Sequence, residues 1–335
     1  MKFGFGLITC ERHPADVREP SEILAHALAL AEQAERLGFD SIWVSEHHFL
    51  DDGYLPSLLP MCAAIAARTE TIAIGTGVLL APLHDPIRVA EDAAVVDLLS
   101  KGRLILGLGA GWRREELDAF GVPPGQAGQR LERAVRILRE AWGPRLVAED
   151  DLGVAVTPKP TGGGPPIWIG ALSEPGVRRA GRVADGFLAT EATPTSFAEQ
   201  VRWAAEEREH AGRGGEPFTN AVVVSVFAWP GPDAWELIRD SHHYVVWKYL
   251  DMEGARGRTG PPPMPPRLSP GEEAALRRQI VVGRPEQVAD ELDRFRRVAG
   301  DGIHIVARLY WPGLDPSVQE EALAVFAETV MAYLR

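Results

Sequence analysis

The stretch SEILAHALALAEQAERLGFDSIWVS, from Ser21 to Ser45, joins a helical pattern to a short apolar run. Ser21 stands where a helix N-cap belongs, and Gly38 where the helix should stop. Ile42–Ser45 then reads as a strand, and the equally apolar Phe3–Thr9 reads as another strand ahead of the helix. Strand, helix and strand in that order form the repeating unit of a parallel sheet.

The unit recurs along the chain. Further strands are expected over Ile72–Leu80, Leu104–Gly109, Ile167–Gly170, Gly186–Thr190, 221–229 and 303–311. Helices are expected over Pro56–Arg68, Pro86–Ser100, Gln129–Trp142, 174–184, 197–212, Trp235–Tyr249, Pro285–Val298 and 317–335. Eight repeats point to an α/β fold of the (β/α)8 TIM-barrel type, whose parallel strands read as continuous apolar runs. A typical barrel needs about 250 residues. The surplus falls in two insertions, and residues 1–335 are read as a single domain. Residues 143–166 suggest a small hairpin and a Gly/Pro loop. Residues 254–271 are too rich in Pro and Gly for regular structure and form a candidate lid. An open doubly wound sheet fits less well, because TCERHP rather than a glycine-rich turn follows the first strand.

Composition removes several function classes. A net charge of −12 argues against nucleic acid as the main partner, since phosphate binding needs clustered Lys and Arg. The two cysteines, Cys10 and Cys62, exclude a disulfide scaffold; both lie in apolar surroundings and read as inert. The N-terminus meets charge too soon for a signal peptide, and no apolar stretch approaches a membrane span. A cytoplasmic protein with no membrane partner is expected.

No P-loop, HExxH, CxxC or GxSxG occurs. GLGAGW, Gly107–Trp112, imitates GxGxxG but has Trp112 at the third glycine and follows the fourth strand. In EHHF the adjacent His47 and His48 point to opposite faces of a strand, so they do not chelate one metal, and no metal site is expected. At the C-terminal end of a barrel strand one of them can face the mouth, where active sites of this fold lie. The plainer alternative is two polar residues closing a core strand. Asp51 and Asp52 beyond them read as a solvated loop. The glycines of IGTGVLL mark either a close approach to a ligand or a tight barrel corner. GALSEPGV, Gly170–Val177, follows the fifth strand and opens a helix. It is either an ordinary N-cap at Ser173 or an anion site using the backbone N–H groups of Gly176 and Val177.

Taken together, GFDSIWVSEHHF, IGTGVLLAPLHDPIRVAEDAAVVDLLSKGRLILGLGAGW, LDAFGV, PIWIGALSEPGVRRAGRVADGF, VVGRPEQVADEL and LAVFAETVMAYLR resemble the bacterial luciferase-like flavin-dependent monooxygenases. The resemblance implies a barrel, commonly dimeric, that binds reduced FMN or the deazaflavin F420 at its C-terminal mouth. It makes His47 the acid/base candidate and His48 its neighbour. It puts a non-proline cis peptide at Gly77–Val78 behind the flavin ring. It assigns the phosphate to Gly170, Ala171, Ser173, Gly176 and Val177. Gly109 and Ala110 stand where luciferase has a reactive Cys and an Arg, so the Arg charge must come from elsewhere or be replaced by backbone N–H groups, as at Ala110. Phe49, Leu80, Trp112 and Trp311 are candidates for the substrate side. The implied activity is a two-component monooxygenase: a separate reductase supplies FMNH2, and O2 gives a C4a-peroxyflavin that oxygenates a small organic substrate. The alternatives are an F420-dependent oxidoreductase transferring hydride without O2, and a non-catalytic flavin-binding protein. Glu46 beside the double histidine favours the FMN-using branch, and the resemblance suggests a homodimer.

Overall fold

A computed structural model describes residues 1–148, 153–254, 257–258 and 262–335. The strands are β1 (Lys2–Ile8), β2 (Ser41–Val44), β3 (Ala73–Thr76), β4 (Leu79–Leu80), β5 (Leu104–Gly109), β6 (Ile167–Ala171), β7 (Gly186–Ala189), β8 (Thr219–Ala228), β9 (Val281–Gly283) and β10 (His304–Arg308). Neighbours pair in parallel in the order β1-β2-β3-β5-β6-β7-β8, and β10 bonds to both β8 and β1, closing the ring. This is the expected TIM-type barrel. β4 continues β3 beyond a break and pairs with β5, while β9 pairs in parallel with the C-terminal end of β8.

The helices are α1 (Pro20–Arg36), α2 (Leu58–Arg68), α3 (Pro86–Leu99), α4 (Arg114–Ala119), α5 (Ala127–Trp142), α6 (Glu174–Val183), α7 (Pro194–His210), α8 (Ala234–Asp251), α9 (Pro270–Arg277), α10 (Pro285–Ala299), α11 (Pro316–Val325) and α12 (Ala332–Leu334). A π-helical segment, Phe326–Met331, joins the last two. Helix α1 starts earlier than Ser21. Glu19 is the N-cap, Pro20 takes the first turn where its missing N–H costs nothing, and Glu22 accepts the Glu19 N–H at 2.7 Å. Gly38, at φ +80°, follows the helix as expected. The third strand is not continuous over Ile72–Leu80 but is interrupted at Gly77–Val78. The short α4, α9 and β9 were not apparent in the periodicity. Helix α9 begins at Pro270, inside the segment expected to lack regular structure. In the first insertion Val147 and Val154 form an antiparallel bridge around residues 149–152, which lie outside the described residues. The candidate lid also falls partly outside them, at 255–256 and 259–261. No described helix is long and apolar enough to cross a membrane.

Inside the barrel, side chains stack in layers. At the N-terminal end Trp43 and Trp168 lie 5.1 Å apart by ring centroid, and His304 meets both edge-on at 5.9 and 5.5 Å. Ser41 Oγ accepts the Trp43 indole N–H at 2.7 Å and lies 2.7 Å from His304 Nε2. Burial holds His304 down at about 4, so the ring is neutral at physiological pH. Two indoles fit one barrel cross-section only because strand residues facing them lack side chains. A Cβ on Gly4, Gly75 or Gly186 would come within 2.6, 2.4 and 2.6 Å of an indole. Leu7, Leu188, Val223 and Val306 fill the next layer.

Gly107 on β5 is tighter still, since a Cβ there would meet the Thr76 carbonyl oxygen at 1.9 Å. Backbone cannot swing aside as a side chain can, so Gly107→Ala is expected to cost about 3 kcal/mol. A urea unfolding midpoint equal to that of the wild type would contradict this account of the β3–β5 contact.

Candidate functional site

The end of β2 builds the mouth. His47 and His48 do turn to opposite sides. His47 faces the central cavity, and its Nδ1 lies 2.9 Å from Glu116 Oε1; the His48 backbone N–H donates to the same oxygen at 2.8 Å. A carboxylate only accepts, so Nδ1 carries a proton, and in the neutral ring Nε2 is the nitrogen that keeps its lone pair. The ring is held edge-on by Tyr54 at 5.0 Å, Tyr249 at 5.8 Å and Trp112 at 5.9 Å.

The His48 ring instead meets Glu46, with Nε2 at 2.7 Å from Oε1, and His84 Nε2 reaches that oxygen at 2.8 Å. Glu46 Oε2 accepts the Leu80 N–H at 2.9 Å. Burial pushes the Glu46 carboxyl up, but these hydrogen bonds outweigh it and hold the group below the ordinary carboxylate range. Although three ligand-type atoms converge within 4.8 Å, each imidazole sits at hydrogen-bond distance from one oxygen. Zinc ligands at about 2.1 Å from an ion in tetrahedral array stand roughly 3.4 Å apart. The contacts are therefore those of a carboxylate bridging two histidines and pinning the start of β4.

Beneath the site lies a buried charge network. Arg113 is fully buried at the start of α4. It donates to the carbonyls of His48 (2.5 Å) and Met252 (3.2 Å) and pairs with Glu115, tying the β2 loop to the end of α8. Asp51 and Asp52 do not form a solvated loop. Lys248, fully buried on α8, binds them at 2.6 and 3.1 Å, and the Tyr244 hydroxyl donates to Asp52 at 2.8 Å. A lysine can be buried this way only with its charge met by acids, so two acids that look exposed in the sequence are drawn inward. Burial, then the Asp52 charge, pushes the nearby Glu11 carboxyl up to about 8.

A cavity of 1540 Å³ opens at the C-terminal ends of the strands. Gly77–Val78 lies in its wall, and that peptide bond is cis, as is the unanticipated Gly6–Leu7. The Val78 side chain occupies space that a Cβ on Gly109 or Gly170 would invade, at 2.4 and 2.7 Å. Ala110, Gly170, Ala171, Ser173 and Gly176 also line the cavity. Ser173 is the N-cap residue of α6, without a side-chain capping bond. Val177 lies outside the lining and its N–H is not free; it bonds the Ser173 carbonyl at 3.0 Å. Arg179, one turn further, lines the cavity and pairs with Glu132 at 2.9 Å, bringing a guanidinium to the helix end from outside the fourth-strand motif. Leu80 and Trp112 line the cavity, but Phe49 and Trp311 do not. Phe49 is half exposed and stacks on Phe120, while Trp311 packs beside Phe227 and Trp235. Both cysteines are buried, which raises each thiol to about 12 and leaves them inert at neutral pH.

Glu116, Tyr54, Tyr249, Arg113, His84, Arg179 and Arg308 escaped the sequence reading. Most meet their partners only through the fold. Arg308 did leave a trace, as the lone charge within the apolar run of β10.

Lys248→Met is expected to destabilise the protein by about 3–5 kcal/mol in urea unfolding, because it removes the buried cation shared by two buried carboxylates and leaves them only the Arg258 and Tyr244 contacts; a loss below about 1 kcal/mol would contradict their burial as ions. Glu11 gives a pH signature. Its carboxyl rises from an ordinary value of about 4.5 to about 8 on folding, so the folded chain holds a proton that the unfolded chain releases. Its stabilising contribution is complete below about pH 4.5 and lost as pH rises through about 8. Glu11→Gln should flatten the fall in melting temperature from about pH 5 to about pH 8; an unchanged slope would show that Glu11 does not carry it.

The luciferase-like monooxygenase family model matches residues 1–302. An F420-dependent glucose-6-phosphate dehydrogenase from Microbacterium testaceum is 29% identical over 94% of this chain and 94% of its own. The 4-hydroxyprotoasukamycin monooxygenase of Streptomyces nodosus subsp. asukaensis is 26% identical over 98% and 91%. Among solved structures, the oxygenating constituent of 3,6-diketocamphane monooxygenase from Pseudomonas putida, in complex with FMN, superposes with a TM-score of 0.76 at 20% identity, covering 98% of this chain and 97% of that one.

Proposed function

The chain belongs to the luciferase-like monooxygenase family, whose members are flavin- or F420-dependent oxidoreductases and monooxygenases, and we propose that it is the oxygenase of a two-component system that uses reduced FMN and O2 to oxygenate a small organic substrate. The observation that carries this reading is the placement of His47, clamped by Glu116, in the wall of one 1540 Å³ cavity together with Gly77–Val78 and the N-terminus of α6. Single-ligand pockets run to about 1,000 Å³, so this one has room for a cofactor and a substrate together.

The residues present fit FMN. Gly77, Val78, Gly109 and Gly170 offer a flat wall for a ring system. Gly170, Ala171, Ser173 and Gly176 meet a phosphate at the helix end, with Arg179 close by and the Ala110 backbone at the neighbouring strand end. Reduced FMN, when bound, supplies the electrons that activate O2. The chain does the rest. Leu80, Trp112 and Tyr249 keep water from the reacting centre. Glu116 fixes the His47 tautomer, and His47 Nε2 takes and returns the proton that oxygen transfer requires. His48 acts through Glu46, holding the mouth rather than facing the cavity. A free flavin reductase is the transient partner, which places the pair in the cytoplasm. A second copy of the chain covers the exposed Val95, Leu98 and Leu99 on α3, giving a homodimer.

The second reading, F420-dependent hydride transfer without O2, is favoured by the dehydrogenase-like match over nearly the whole chain.

The protein is expected to bind FMNH2 and to slow its reoxidation in air relative to free FMNH2. Tight binding of reduced F420 with no FMN affinity would replace the first reading by the second, and binding without turnover over a substrate panel would leave only flavin storage. His47→Ala should lower kcat by roughly a hundredfold or more while flavin affinity stays within about threefold; unchanged turnover would remove the proton-transfer role.

A further inference from the structure

Arg308 ends β10 with its side chain turned into the barrel mouth, one layer above Val306 and two above His304. It is 8% exposed and lines the central cavity. Its Nε and Nη2 have no hydrogen-bond partner. Among the described residues no carboxylate lies within ion-pair distance of it. Of the nearby acids, Asp51 and Asp52 hold Lys248, and Glu11, whose carboxyl burial pushes up to about 8, makes neither a hydrogen bond nor an ion pair with Arg308. Burial disfavours the Arg308 charge, but a guanidinium holds its proton far above physiological pH, so it remains a cation. A buried cation with two unused donors is costly and otherwise unexplained. A planar guanidinium fork matches a two-oxygen anion or an ionised phenol or enol oxygen.

Its position separates it from the phosphate end of the site. The α6 N-terminus follows β6, whereas β10 stands between β8 and β1, across the mouth. Arg308 Cζ is 5.7 Å from the Tyr249 ring, and that ring is 5.8 Å from His47. An oxygen held by Arg308 therefore brings the rest of its molecule past Tyr249 toward His47.

We propose that Arg308 anchors an anionic oxygen of the substrate, so that the enzyme takes a small organic molecule bearing a carboxylate or an acidic phenol or enol. This rests on the reading of the cavity as a cofactor-and-substrate site. Arg308 is a positioning and specificity residue, and His47 handles the proton.

Calorimetric titration of the FMN-loaded protein with acetate, benzoate and octanoate, each against its amide, tests the proposal. At least one carboxylate should bind wild-type protein better than its amide. That preference should fall roughly tenfold or more in Arg308→Gln and be partly kept in Arg308→Lys. FMN affinity should stay unchanged, and the ligand-free melting temperature should be equal or higher, because an unpaired buried charge has gone. An equal loss of carboxylate and amide binding, a fall in melting temperature with both lost, or a loss of FMN affinity would each overturn the anchor, the last by assigning Arg308 to the cofactor. The absence of binding by every carboxylate would overturn it too. The same titration on cofactor-free protein separates the two readings: Arg308-dependent carboxylate binding without any FMN affinity would keep the anion site and end the FMN assignment.

Discussion

Closure of the sheet is the constraint on which everything else depends. When β10 bonds to both β8 and β1, the ring of eight strands has no free edge, and the interior must be filled from strand side chains alone. Trp43 and Trp168 fill the lower layer because Gly4, Gly75 and Gly186 face them. At the other end Gly109 and Gly170 make room for the Val78 side chain in the same way, and the cavity opens above it. Packing at the bottom and a cavity at the C-terminal ends of the strands give a cup with its mouth at that end.

The mouth is then organised by charge. Two carboxylates on either side of the β2 exit do the positioning: Glu116 holds His47 and the His48 backbone, while Glu46 gathers His48, His84 and the Leu80 N–H. Arg113 and Lys248 fasten this layer to α8 through buried contacts whose opposing groups are present. Against that background of matched charge, Arg308 stands out as a cation whose partner the chain does not supply.

The barrel was largely legible in the sequence because each strand is buried on both faces and each helix on one, which leaves continuous and periodic apolar patterns respectively. The short elements α4, α9 and β9 were not, since six, eight and three residues carry too little periodicity to register. The site divides in the same way. His47, Gly77–Val78 and the α6 N-terminus stand at strand ends and turns that have local signatures. Glu116 is 69 residues from His47, and Lys248 is 197 from Asp51. Nothing in either neighbourhood announces the partner, and acids beside a glycine read as solvent-facing until the buried lysine is seen. The misplaced Phe49 and Trp311 have a similar cause, as large apolar residues near a mouth can pack outside or beneath it as readily as within it.

The most direct measurement is a crystal structure of the protein soaked with oxidised FMN. The ring should lie against Gly77–Val78 within reach of His47, with the phosphate at Ser173 and Gly176 and Arg179 nearby. A flavin phosphate seated on Arg308, or a flavin bound outside this cavity, would contradict the account of how the closed barrel builds its active mouth.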